Sequence, residues 1–416
     1  MADSRPLPLW AGRTAALLGI LLVALNLRTA VAVISPIVAE IDVDIHLDSA
    51  ELGVLGAVPP IAFALTAVFG ALIAKKVGLE RLLALALIAM VAGQLLRSAA
   101  PNFAVLLAGS LIALAGAGLG NVLLPPIVKR YFPDRIGLMT SLYVTLLSLG
   151  TAVTAALSAP IAQVGGWRTS LGVWSIMALA SLVPWATVLL RQRRTLAAVQ
   201  PAELLTEAVP NLGGPPTGSA RRIWHSKTAW MLGILFALTT MQVYAAFAWL
   251  PQLLVDIAGV TPVQSGGLLA LYIIIGLPSA LVIPLLTARL RNVGWVIQSG
   301  VALFVAGYLG LLFMPTVATW LWIVLIGAGP LLFPAALTLI NLRSRTHEGA
   351  VALSGFVQTI GYTFGALGPL LVALLHGITG SWTAPLVLLL VAAIATTFAG
   401  VKMAKPSFVE DDIARR

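Results

Sequence analysis

The sequence predicts an all-α integral membrane protein of twelve transmembrane helices, arranged as two pseudo-symmetric six-helix bundles. Three observations carry that prediction: a surface too apolar for water, twelve apolar runs of spanning length, and basic residues that alternate from side to side. Of the 416 residues, 59% are hydrophobic and only 10% are charged. A soluble domain needs roughly 25% charged residues to cover itself, so lipid is the solvent for most of this surface. The net charge of +10 does not mark a nucleic-acid partner, because the charges sit in short clusters between apolar runs. The chain has no cysteine, which excludes disulfides and thiolate metal sites.

A spanning helix needs about 20 largely apolar residues. Twelve segments qualify, here numbered spans 1 to 12: 13–40, 50–74, 80–98, 103–128, 136–163, 168–190, 228–256, 263–288, 293–314, 317–342, 349–376 and 382–403. Span 1 follows a short basic start, as a signal peptide does. It is too long for an h-region and has no clear small-residue cleavage site, so it reads as a retained helix. Pro101-Asn102, Gly165-Gly166-Trp167 and Gly380-Ser381-Trp382 are typical separators. The long interruption, 191–226, contains Gly213-Gly214-Pro215-Pro216-Thr217-Gly218-Ser219 and reads as a flexible cytoplasmic linker. It divides the chain into a first half, 1–190, and a second half with a cytoplasmic tail, 227–416.

Lysine and arginine accumulate on the cytoplasmic side of a membrane protein. Here they fall in the N-terminus (Arg5, Arg13), after span 2 (Lys75, Lys76, Arg81), after span 4 (Lys129, Arg130, Arg135) and in the linker. They recur after span 8 (Arg289, Arg291), after span 10 (Arg343, Arg345) and in the tail (Lys402, Lys405, Arg415, Arg416). These places hold 22 of the 25 Lys and Arg, and one spurious span would break the alternation. The expected location is a bacterial inner membrane, with both termini and the linker in the cytoplasm.

The two halves repeat in the same direction. Gly116-Ala117-Gly118 in span 4 recurs as Gly327-Ala328-Gly329 in span 10; Gly137 answers to Gly349; Gly165-Gly166-Trp167 answers to Gly380-Ser381-Trp382. A parallel six-plus-six repeat with a cytoplasmic linker is the layout of the major facilitator fold, whose solute site lies between the halves near mid-membrane. Prolines within the spans (Pro36, Pro59-Pro60, Pro125-Pro126, Pro160, Pro278, Pro284, Pro330, Pro334, Pro369) remove backbone hydrogen bonds and bend helices. Bent helices suit a protein that rocks between two openings, although any one proline can equally serve packing.

Arg28 is the most informative residue. It lies about fifteen residues, or about 22 Å, into span 1, beyond the reach of snorkelling. A charge at that depth costs about 2.5–3.5 kcal/mol on insertion scales. All fifteen Asp and Glu fall in loops or at helix ends, Glu40 and Asp256 coming closest, so no carboxylate is available at its depth. Arg28 is therefore expected to face a wet central cavity and pair with solute, its planar fork of donors suiting a small anion, a carboxylate or a nitro group. Asn26 stands beside it. Arg97 and Arg168 lie at outer helix ends, where snorkelling is the expectation.

Other polar groups inside the spans must face protein or water. Span 11 carries Ser354, Gln358 and Tyr362 on one face; span 7 carries Gln242 and Trp249; Asn121 lies in span 4. Span 5 carries a stripe of Thr140, Tyr143, Thr151, Thr154 and Ser158, read first as glue between helices. Gln358, Gln242 and Asn121 are candidates to line the cavity. Trp249 and Tyr362 serve equally as flat walls for a planar solute or as core packing. No phosphate-binding loop is present, so ATP does not drive the protein directly. The four histidines form no ligand cluster and no nucleophile–base pair stands out, so no catalytic residue, metal or cofactor is expected.

Several motifs in order resemble the cyanate/2-nitroimidazole transporter branch of the major facilitator superfamily, over nearly the full length. They are Asn26-Leu27-Arg28 followed by Pro36; Gly116-Ala117-Gly118 through Asn121 to Pro125, then Lys129-Arg130-Tyr131-Phe132-Pro133; Ala248-Trp249-Leu250-Pro251 with Ser265-Gly266; and Gln358-Thr359-Ile360-Gly361. The resemblance implies transport of a small anionic or nitro-bearing solute by alternating access, with Arg28 as anchor and Asn26, Asn121, Tyr143, Gln242, Trp249, Gln358 and Tyr362 around it. The chain departs from the superfamily after span 2, where Gly70-Ala71-Leu72-Ile73-Ala74-Lys75-Lys76-Val77-Gly78 has no acidic residue. Thr29 also stands where the branch often has proline.

A broad drug/proton antiporter is the alternative expectation; such pumps usually place an acid within the membrane. A membrane sensor without transport is a third. A potential of about 100 mV, negative inside, opposes entry of one anionic charge by about 2.3 kcal/mol, so uptake needs a co-transported cation and export does not. Without a mid-membrane carboxylate the expectation is a uniporter or exporter, or proton coupling through the solute itself. The expected partners are a small-molecule solute and the lipid bilayer, with the protein acting as a monomer.

Overall fold

The computed structural model describes residues 13–198, 223–290, 292–404 and 407–414, and every regular element among them is helical. Leu65, Phe69, Ile176, Val183, Leu285 and Phe398 are exposed on the outside of the bundle, the surface that lipid covers.

Most spans form where hydropathy places them: Ser49–Val77, Leu79–Ser98 and Phe103–Tyr131 as spans 2 to 4, and Lys227–Ala258, Pro262–Arg289, Gly294–Phe313 and Thr383–Met403 as spans 7, 8, 9 and 12. Spans 5 and 6 meet in one apolar stretch, Leu138–Leu190, of 53 residues. At 1.5 Å per residue that is about 80 Å, more than twice the hydrocarbon thickness. Gly166, at φ 78° and ψ 159°, breaks it, in a backbone region that residues with a Cβ rarely adopt. Eleven continuous candidates thus become twelve crossings. Span 6 continues as helix to Ala198, eight residues past the expected boundary, and most of the 191–226 linker lies outside the described residues.

Three spans expected to be continuous are divided. Span 1 runs Thr14–Asn26 and Thr29–Ala32, then a 3-10 turn at Ser35–Ile37. Span 10 is Thr319–Ala328 and Leu332–Leu342 across a turn holding Pro330; span 11 is His347–Gly365 and Leu367–Thr379, with Pro369 in the second piece. Proline lacks the N–H that would continue the ladder. The prolines of spans 2, 4, 5 and 8 sit inside unbroken helices.

The repeat extends to the helix starts. Asp48 and Glu51 form a reciprocal capping box at span 2, and Thr261 and Gln264 form the same box at span 8, 213 residues on. Each satisfies two N–H groups that a helix start leaves open.

Arg97 corrects an expectation. It does not snorkel: it is 1% exposed. Gly109 of span 4 packs onto its stem, and its Nη1 donates to the Ala30 carbonyl at 3.1 Å. The break in span 1 frees that carbonyl, and no property of span 3 alone foretells it. Arg168 is exposed at the far end, over the Trp167 ring at 4.2 Å and paired with Asp44.

Candidate solute site

Between the halves lies a cavity of about 590 Å³. It starts at mid-depth around Arg28, Tyr244 and Tyr362 and runs to Pro284, Thr338 and Asn341. Those last residues lie near the ends of spans 8 and 10 on the side of the bundle that carries Thr14, Ala198, Ile223 and Met403. That side is termed the terminal end, and the cavity opens toward it.

The far end is sealed by backbone packed on small side chains. A Cβ on Gly53 of span 2 would lie 2.5 Å from Ala373 Cβ of span 11, and one on Gly56 2.6 Å from Ala248 Cβ of span 7. Gly266 of span 8 packs in the same way on the Ala155 carbonyl of span 5. Tyr244 and Phe247 also line a second cavity of about 30 Å³ with Ser35, Gly56 and Ser110. The two aromatic residues therefore stand between the main cavity and the sealed end.

Among the described residues, Arg28 is the one charged residue on the cavity wall. Its guanidinium lies over the Phe63 ring, 5.6 Å from the centroid, a cation–π contact. Tyr244 and Tyr362 stand on the same cavity wall. Arg28 Nε has no partner. The ion pairs among the described residues do not include Arg28, so its charge is left for something that enters the cavity.

Five lining residues come from the first half and seventeen from the second. The charge therefore stands on one wall, and most of the shape is supplied by the other. Much of that wall is apolar: Val243, Phe247, Ile273, Phe333 and Leu337. The hydroxyls of Thr151, Thr240 and Thr338 are spent on carbonyls of their own helices, Leu147, Phe236 and Pro334. Few free polar groups besides Arg28 and the tyrosines remain to meet a solute.

Of the residues singled out by sequence, the structure brings Arg28 and Tyr362 together on the cavity wall. Gln358 is half-buried one turn away, and its Nε2 donates to Ser354 Oγ at 2.7 Å. Tyr143 is half-buried beside the lining stretch Val144–Thr151. Asn121 is half-buried in span 4. Asn26 is fully buried, its carbonyl and Oδ1 both accepting from Thr29 Oγ1. Gln242 is fully buried with neither amide atom partnered. Trp249 is packed in the core, its indole N–H donating to the Pro369 carbonyl at 3.0 Å. Thr154 and Ser158 of the span 5 stripe bond carbonyls one turn back in their own helix rather than a neighbouring helix, a reach short hydroxyls have. Sequence reasoning missed Tyr244 and Phe247 as wall residues. Tyr244 lies two residues from Gln242, but only the rotation of span 7 tells which of the two faces inward.

A model of the Major Facilitator Superfamily matches residues 17–369. An uncharacterized transporter, YycB, of Bacillus subtilis (strain 168) is 33% identical over 92% of this chain and 91% of its own. The 2-nitroimidazole transporter of Escherichia coli (strain K12) is 33% identical over 88% of this chain and 90% of its own. The cyanate transport protein CynX of the same organism is 25% identical over 88% and 91%. Among solved structures, a bacterial homolog of the human lysosomal transporter Spinster, inward-facing and occupied, superposes with a TM-score of 0.73 at 16% identity, covering 96% of this chain and 98% of that one.

Proposed function

Since the chain belongs to the Major Facilitator Superfamily and is a carrier rather than an enzyme, we propose that it moves a small planar solute bearing a negative charge or a nitro group. Arg28 anchors the charged or nitro end, Tyr244 and Tyr362 flank it, and the apolar wall of the second half holds the ring. The observation that carries this reading is a guanidinium on the wall of a central cavity that has no carboxylate partner among the described residues. An arginine fork matches carboxylate-like oxygens geometrically, and the mostly apolar surroundings strengthen that attraction. The names of two relatives, 2-nitroimidazole transporter and cyanate transport protein, agree with this chemistry. At about 590 Å³ the cavity far exceeds a cyanate ion, which favours the heteroaromatic class.

The basic loops support a terminal end that faces the cytoplasm, and on that reading the open cavity is the inward-facing state of a bacterial inner-membrane protein. The carrier works as a monomer by alternating access, and any coupling to the proton runs through the solute itself, because no carboxylate among the described residues lines the cavity.

The test is thermal stabilisation of the purified protein by 2-nitroimidazole, cyanate, nitrate, small carboxylates and a bulky cationic dye, in wild type and Arg28→Ala. A ligand at about 100 times its Kd stabilises the folded state by about 2.7 kcal/mol. Stabilisation by a nitro compound or small anion in wild type alone is the expected result, with labelled flux lost in parallel. The large apolar wall favours one second reading, a broad drug/proton antiporter. Equal stabilisation of both proteins by the dye alone would put that reading in its place.

A further inference from the structure

Arg28 sits at a discontinuity in span 1, which turns at Leu27 and Arg28 with Arg28 at φ −115° and ψ 3°. The first half grips this break from three directions. Gly150 of span 5 lies on the Leu25 carbonyl, too close to carry a Cβ, and Gly120 of span 4 lies against the Leu27 side chain. From span 3, Arg97 Nη1 donates to the Ala30 carbonyl at 3.1 Å. Gln94 Nε2 donates to Thr29 Oγ1 at 3.4 Å, and Thr29 Oγ1 bonds back to the Asn26 carbonyl at 2.9 Å.

In a continuous helix the Ala30 carbonyl would accept the Ile34 N–H. That bond is not made, and the guanidinium takes its place. Arg97 is 1% and Gln94 2% exposed, and Arg97 Nε and Nη2 have no partner. A buried cation with idle donors is costly, and a well-packed apolar residue fills such a space at lower cost. Simple space-filling therefore does not account for an arginine here, whereas a long, charged donor that reaches a freed carbonyl does.

We propose that Arg97, assisted by Gln94, is a positioning residue: it holds the break in span 1 so that Arg28 faces the cavity. Its functional meaning rests on the reading of Arg28 as solute anchor. Its geometry does not, and the two are tested by different readouts.

The cysteine-free chain allows single reporters on a silent background. In the full-length protein in proteoliposomes, Arg28→Cys is reacted with a water-soluble cationic methanethiosulfonate. Ser148→Cys, on span 5 of the same cavity, is the control. Each is measured in the parent and with Arg97→Met, Arg97→Lys or Gln94→Leu. Arg97→Met is expected to slow labelling at position 28 about tenfold, the population shift from losing one charged hydrogen bond, and to leave position 148 as in the parent. Gln94→Leu slows position 28 less. Arg97→Lys, which keeps a charge and a donor, returns it to within about threefold of the parent. Unchanged labelling at position 28 throughout overturns the proposal. Equal loss at 28 and 148 also overturns it, because that marks general collapse. If Arg97→Met does not fold, Gln94→Leu decides: selective slowing at 28 supports the proposal and no slowing sinks it. No solute enters this assay, so failure of the anchor reading leaves its outcome untouched.

Discussion

The indole N–H of Trp382 donates to Asp256 Oδ2 at 2.8 Å, and the other half makes the same bond from Trp167 to Asp44 Oδ2 at 3.0 Å. Each bond ties the start of a half's last span to the far end of its first span, closing the ring of six helices. Both tryptophans sit where an amphipathic ring suits the membrane interface. His376 adds a stacked face on Trp382, 4.1 Å between centroids. Trp382→Phe keeps the ring and removes the donor, so Tm in detergent is expected to fall by about 2–4 °C. Trp167→Phe should do the same, and the two effects should add, since the sites share no partner. A scanning calorimeter or tryptophan-independent dye melt reads both.

The Trp167–Asp44 bond is pH-sensitive. Hydrogen bonds from Arg168 and Trp167 hold the Asp44 carboxyl below its usual 3.8. A carboxylate depressed on folding contributes stability that is complete above its unfolded pKa and is lost as pH falls through the lower folded value. Melts from about pH 6 to about pH 3 should therefore show a loss of Tm below the usual carboxylate range. That part of the profile is expected to flatten in Asp44→Asn.

A short acidic helix, Val409–Ala414, straps the terminal end of the second half. Glu410 Oε1 accepts from Ser344 Oγ, the Arg345 N–H and the Thr346 N–H at 2.9, 2.9 and 3.2 Å. Asp412 Oδ2 accepts from Ser226 Oγ and the Thr228 N–H at 2.9 and 2.8 Å. The strap thus joins the starts of spans 7 and 11 and the end of span 10. Burial works to raise the Glu410 pKa, but these hydrogen bonds outweigh it and the carboxyl ends below its usual 4.5. The strap should therefore hold above the ordinary glutamate range and loosen as pH falls through the lower folded value. Glu410→Gln with Asp412→Asn is expected to lower Tm by about 2 °C or more and to raise hydrogen exchange at residues 226–229 and 344–349, read by mass spectrometry.

Arg28→Lys separates charge from shape. A lysine keeps the charge but not the planar fork. If the fork matters, it should lose about tenfold or more in apparent affinity for a planar nitro solute while keeping part of its response to a simple anion such as nitrate. Equal losses for both would mean that charge alone is recognised. Concentration series of thermal stabilisation give both affinities.

Much of this architecture was legible in the sequence. Hydropathy placed the twelve spans, Gly165-Gly166-Trp167 marked the break between spans 5 and 6, and the absence of a carboxylate at its depth singled out Arg28. The rest depends on neighbours that no single helix reveals. Arg97 looks like a snorkelling residue until the break in span 1 supplies a carbonyl to reach. Trp249 reads equally as cavity wall or core packing until the rotation of span 7 turns it to Pro369 and brings Tyr244 and Phe247 inward. Periodicity gives the face of a helix but not which face meets the other half.

The glycine seam predicts its own mutants. A valine at Gly56 cannot fit against Ala248 and Pro369 without separating the halves. Gly56→Val is expected to shift the population toward a far-end-open state. In the cysteine-free chain, a Ser35→Cys reporter in the small sealed cavity should then label at least about tenfold faster from the far side.

That seam closes by contact between backbone and methyl groups, whereas the terminal end is held by charged groups. Arg13–Asp134, Arg130–Glu80 and Arg345–Asp411 each tie residues of a single half there. Parting two apolar surfaces separates no ions, so the far-end seam has little sensitivity to ionic strength. What it responds to is lateral pressure and bilayer thickness, which act on how the helices tilt. Dissolved salt and acidity act instead on the charged ties within each half, at the terminal end and at Arg168–Asp44 on the far side. The closing of the seam and the bracing of each half would then answer to different physical variables, one set by the lipid around the carrier and the other by the water at its two faces.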